Sequence, residues 1–143
     1  MDLTGVAVTE TDNYEDGSYG HGIAVDAGAL VTGTAVDVVA NQEAGIWASG
    51  EGSRVGLTGV EVLGTLTSRR YHMGFGVLVT EGAVVNLSGR VEGNEGPAVY
   101  VQDGSFVLEE GGWIEGTEFA ALVVSGGTAT LTGCGFGSAL ASG

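Results

Sequence analysis

Residues 76–94 read GVLVTEGAVVNLSGRVEGN, and this stretch decides the fold. Apolar side chains alternate within it, at Val77/Val79 and again at Val85/Leu87. That two-residue period belongs to a half-buried strand, and helical spacing is absent. Two phrases in the stretch return along the chain. Leu87-Ser88-Gly89 has counterparts at Leu3-Thr4-Gly5, Val31-Thr32-Gly33, Leu57-Thr58-Gly59 and Leu131-Thr132-Gly133, with Leu108-Glu109-Glu110-Gly111 as a worn copy. Gly76-Val77-Leu78-Val79 has counterparts at Gly22-Ile23-Ala24-Val25, Gly45-Ile46-Trp47-Ala48, Ala98-Val99-Tyr100-Val101 and Ala121-Leu122-Val123-Val124. The second phrase starts at 22, 45, 76, 98 and 121, in steps of 23, 31, 22 and 23 residues. One repeat is therefore about 22 residues, and the third carries an insertion.

Units this small bury nothing alone, so they must stack. Stacking in register predicts inward columns of equivalent side chains. One column holds Ile23, Ile46, Val77, Val99 and Leu122, and its neighbour Val25, Ala48, Val79, Val101 and Val124. A second strand supplies Leu3, Val31, Leu57, Leu87, Leu108 and Leu131, and a third Val8, Val38, Val62 and Phe136. The Thr or Ser before each repeat glycine forms a hydroxyl ladder at a bend, where glycine avoids a side-chain clash.

The phrases of residues 3–143 resemble the right-handed parallel β-helix family, the pectin-lyase-like solenoids with relatives on bacterial surfaces. The resemblance implies an all-β, single-domain right-handed parallel β-helix over 1–143, with about six turns of about 22 residues and three short strands per turn. It also implies a secreted or cell-surface location. Handedness follows from the family and from the general preference for right-handed crossovers. Enzymes, adhesins and tail fibres share this scaffold, so function must be read from its sites. A start inside one repeat phrase and an end at the close of another suggest a segment of a longer repeat protein. Without polar or helical caps at its termini, such a stack offers open strand edges for head-to-tail self-association.

Composition narrows the partners. Eighteen acids against four arginines and no lysine give a formal charge of -14, which excludes a nucleic-acid or anionic-membrane surface. No apolar run reaches the ~18 residues needed to span a bilayer, so membrane insertion is not expected. The single Cys134, between glycines in a strand-like run, reads as a small buried hydrophobe.

Two excursions interrupt the minimal repeat, at 10–21 and 64–75. Both follow a third strand, so they leave one corner two repeats apart, about 10 Å. Asp12, Glu15 and Asp16 then face Arg69 and Arg70, while Tyr14, Tyr19 and Tyr71, with His72 beside them, offer flat faces to a sugar ring. The bland alternative is an acidic loop paired with a basic one across a corner, binding nothing. A second candidate is the outward row Ala24, Trp47, Leu78, Tyr100 and Val123, where charges are missing; a glycan or a protein can lie along Trp47 and Tyr100.

Asp12, Glu15 and Asp16 are also a weak Ca²⁺ candidate, departing from an EF-hand loop at Tyr14 and at Ile23, where a glutamate belongs. No other cofactor is expected, and His21 and His72 lack a zinc-site setting. The reading is a non-catalytic structural or binding segment whose partner is a polysaccharide or a surface protein. The alternative is a fragment of a polysaccharide lyase or glycoside hydrolase. No catalytic residue is assigned, although spacing leaves a paired-carboxylate mechanism open. Carboxylates gathered with an arginine on one sheet face would favour the enzyme; a face of small residues would favour the scaffold.

Overall fold

A computed structural model describes residues 1–11, 20–67, 74–117 and 119–138. The candidates Asp12, Tyr14, Glu15, Asp16, Tyr19, Arg69, Arg70, Tyr71 and His72 lie outside the described residues. The chain is all-β, with no helix among the described residues. Its strands are β1 (Asp2–Thr4), β2 (Ala7–Thr9), β3 (Ile23–Val25), β4 (Leu30–Thr34), β5 (Asp37–Val39), β6 (Ala44–Ser49), β7 (Arg54–Leu63) and β8 (Phe75–Thr80). Then follow β9 (Val84–Glu92), β10 (Val99–Gln102), β11 (Ser105–Leu108), β12 (Trp113–Gly116), β13 (Leu122–Val124), β14 (Thr128–Leu131) and β15 (Gly135–Ser138).

Every pairing among these strands is parallel, and each joins a strand to its counterpart one repeat away. One sheet runs β13-β10-β8-β6-β3. The other runs β1-β4-β7-β9-β11-β14, and a second row, β2-β5-β7-β9-β12-β15, joins it because β7 and β9 are long enough to serve both. A bulge between Thr58 and Val60 bends β7 where the rows meet. On β9, a side chain at Gly89 would collide with the Val60 backbone, so that crossing point demands glycine.

The pairing lines up Ile23, Ile46, Val77, Val99 and Leu122, and beside them Val25, Ala48, Val79, Val101 and Val124. The third-strand column is Val8, Val38, Val62, Val91, Ile114 and Phe136. Its central members are fully buried, and each buried Val or Ile contributes about 1.5–3 kcal/mol. Where the columns end, burial ends: Val124 is 44% and Phe136 54% exposed.

The second-strand column needs one correction. Leu3 and Leu57 pair with Gly33, not with Val31, which instead lines up with Val55 and Val85. The repeat phrase in this layer is thus Gly33-Thr34-Ala35, and Thr34 rather than Thr32 pairs with Thr4 and Thr58 in the hydroxyl ladder. Ala35 takes the left-handed conformation (φ 55°) that Gly59 takes next door, and Val36 fills the space left by Gly33.

The corner after the third-strand row is closed by side chains. Asn41, Thr65 and Asn94 are buried there. Asn41 Oδ1 accepts the Thr11 N–H at 2.9 Å, its Nδ2 donates to the Val8 carbonyl at 3.0 Å, and Asn94 Oδ1 accepts the Thr65 N–H at 2.9 Å. These side chains stand where a Cβ at Gly22, Gly45 or Gly76 would go. That is why the following phrase opens on glycine.

Candidate functional site

The β13-β10-β8-β6-β3 sheet carries the outward row foreseen from the alternation. Ala24 pairs with Trp47, Trp47 with Leu78, Leu78 with Tyr100 and Tyr100 with Val123. Trp47, Leu78 and Tyr100 are half-buried. Two neighbours brace the row: the Phe75 ring meets Tyr100 edge-on with centroids 5.5 Å apart, and the His21 ring lies 5.1 Å from Trp47 at 37°. Such contacts hold the aromatic faces at fixed angles.

His21 Nε2 also approaches Glu43 Oε1 at 3.3 Å. Burial pulls the His21 pKa below its usual 6.5 and outweighs the opposing pull of Glu43, so the neutral ring predominates at pH 7.

Two residues along each strand lies the next outward row, Ser49, Thr80 and Gln102, again in register. Beyond it the chain turns through Glu81 and Asp103, both left-handed (φ 52° and 60°). Ser49 Oγ donates to Glu81 Oε2 at 3.0 Å, holding that carboxylate next to the row that contains Trp47. Trp47, Ser49, Thr80, Glu81, Gln102 and Asp103 together line an open groove of about 330 Å³. This lies at the small end of the roughly 300–1,000 Å³ usual for ligand sites. One aromatic wall beside hydroxyl, amide and carboxylate groups can stack a ring and bond its substituents. Of these lining residues only Trp47 belongs to the charge-free outward row. Period two marks Ser49, Thr80 and Gln102 as outward, so the signal was present.

The described ends of the two excursions do share a corner. The Gln42 N–H is shared by the Thr11 and Gly20 carbonyls at the base of the first. Glu43 donates to the Leu66 carbonyl and accepts from the Phe75 N–H at the base of the second. Among the described residues no group of three or more His, Cys, Asp or Glu side chains is placed to hold a metal ion.

The β2-β5-β7-β9-β12-β15 row has a different outer face. Asp37, Glu61, Arg90 and Trp113 line up across its strands. Glu92 and Glu115 occupy the next outward positions on β9 and β12. Arg90 Nη2 bonds Glu92 Oε2 at 2.9 Å, and Trp113 Nε1 donates to Glu115 Oε2 at 3.1 Å. The indole covers β15, where Gly135 and Gly137 leave it room. A further depression, of about 310 Å³ over Gly56, Thr58, Asn86 and Ser88, has no aromatic wall.

No family model, curated protein or solved structure matches this chain. No helix among the described residues is long and apolar enough to cross a membrane.

Proposed function

We propose that this chain is a rigid right-handed parallel β-helix segment of a secreted or cell-surface protein that binds a glycan along the Trp47–Leu78–Tyr100 row. The winding is supported by three parallel rows that each advance by one strand per repeat. The observation that carries the binding role is the groove, in which a half-buried indole stands beside Ser49, Thr80, Gln102 and two carboxylates. Sugars present an apolar C–H face and a rim of hydroxyls, and that combination asks for this pairing of aromatic wall and hydrogen-bonding edge. Tyr14, Tyr19, Arg69, Arg70, Tyr71 and His72, with Asp12, Glu15 and Asp16 for any Ca²⁺, remain the sequence candidates of the two excursions, whose described ends share the adjoining corner. The test is a glycan array probed with and without chelator, using the wild type, Trp47→Ala and Tyr100→Ala. Binding lost in both variants supports the reading; hits indifferent to both, or no hits, overturn it.

A second reading has one observation in its favour: carboxylates and an arginine do gather on one face, at Asp37, Glu61, Arg90, Glu92 and Glu115. A glycoside hydrolase needs one carboxyl as acid and a second as base or nucleophile, both free to reach the scissile bond. Glu92 and Glu115 instead each commit an oxygen to a neighbour two residues away on the same strand. Release of reducing ends or unsaturated products, abolished in Glu92→Gln and Glu115→Gln, would establish the enzyme.

A further inference from the structure

The sign of the charge in the groove chooses among glycans, an inference that rests on the glycan reading above. We propose that the groove selects amine-bearing sugars, of the glucosamine type, and rejects polyuronates. Thr80 and Gln102 pair directly, so Glu81 and Asp103, the residues that follow them, stand one strand spacing apart, about 4.8 Å. They form the rim of a groove whose other wall is Trp47.

Among the described residues no cation lines that groove. The described arginines belong to the other sheet, Arg54 opening β7 and Arg90 on β9. The nearby His21, against Trp47, is kept mainly neutral at pH 7 by its burial. The chain's charge of -14 adds a field of the same sign. A carboxylate sugar stacked on Trp47 would meet two like charges at the rim. An ammonium there gains charge-assisted hydrogen bonds to Glu81 or Asp103 and lies within reach of the indole face. The acids alone would not make a site; they bias a groove that the indole and the Ser49, Thr80 and Gln102 row already shape.

Calorimetric titration with three matched hexamers, of glucosamine, N-acetylglucosamine and galacturonate, tests the proposal at a pH where the free amine is protonated. The glucosamine hexamer should bind about tenfold more tightly than the N-acetylated one, the product of two partly exposed charge pairs. The galacturonate hexamer should not bind. In Glu81→Gln/Asp103→Asn the gap should close, glucosamine affinity falling by about tenfold more than N-acetylglucosamine affinity. Added salt should narrow the same gap in the wild type, a readout that needs no variant to fold. Equal binding of the amine and acetamide hexamers, or any preference for galacturonate, overturns the selectivity. If the N-acetylated hexamer binds and Trp47→Ala abolishes it, the glycan reading survives that failure; if no hexamer binds, or Trp47→Ala changes nothing, both fall.

Discussion

Two corners of the repeat solve one problem by opposite means. After the third-strand row, Asn41, Thr65 and Asn94 turn inward and are wholly shielded, and Asn41 and Asn94 use their side chains to bond the backbone of the layer before. After the β3, β6 and β8 strands the chain instead makes tight exposed turns, Asp26–Ala29, Gly50–Ser53 and Thr80–Ala83, each closed by a backbone bond from its fourth residue to its first. Positive φ at Ala27 and Gly28, and at Glu81 and Gly82, marks two of them as type I′. One corner is held by side-chain bonds in a dry interior, the other by backbone handedness in water. Glycine therefore has two meanings in this chain: lack of room at the first corner and freedom of φ at the second.

The largest break in that comparison should come from Gly76→Val. Its Cβ would meet Ala98 O at 2.5 Å and both Asn94 Nδ2 and Val91 Cγ1 at 2.6 Å, so a loss of at least about 3 kcal/mol is expected from urea midpoints. Next is Asn41→Ala, which removes the acceptor of the part-buried Thr11 N–H and one donor to the Val8 carbonyl and should cost about 1–3 kcal/mol. At the open corner Gly28→Ala meets nothing nearer than Glu51 O at 4.0 Å. Only its φ of 80° opposes it, for about 1–2 kcal/mol. Should Gly28→Ala prove as damaging as Gly76→Val, the distinction between room and handedness fails.

The smallest effect is a pH slope at His21, beside the closed corner. Its folded pKa lies below the unfolded value, so the unfolded chain binds more protons as the medium acidifies. The stability from keeping this ring neutral is complete above the unfolded value of 6.5 and is lost as pH falls from there through the folded pKa. Melting curves of the wild type and His21→Gln, taken between about pH 7.5 and 5.5, should show the acid-side loss in the wild type alone. Equal slopes in the two proteins would remove His21 from the account.

Alternation and phrase spacing made the columns of Ile46, Val77 and Val62 legible, because burial on one strand face leaves a period that no local choice can hide. They misplaced Val31, since matching the words Val-Thr-Gly and Leu-Thr-Gly presumed that glycine alone turns left-handed; Ala35 does it instead. A spacing cue was present. Val31 stands eight residues after Ile23, whereas Leu57 and Leu87 stand eleven and ten after Ile46 and Val77. The closed corner was missed although Thr11, Asn41, Thr65, Asn94 and Thr117 each follow a third-strand Val or Ile by three residues. Trp47 and Tyr100 stood out as aromatics among small residues. Glu81 and Asp103 did not, for a turn acid has no meaning until pairing sets it beside its equivalent in the next layer.

That layering gives the Trp47–Leu78–Tyr100 face a fixed graduation of about 4.8 Å per rung. Like a vernier, it compares its own scale with that of any polymer laid along it. A chain whose units match the rungs stays in phase and gains with every added unit. One with a different pitch drifts out of step, so on the proposed glycan reading length itself would be a means of discrimination.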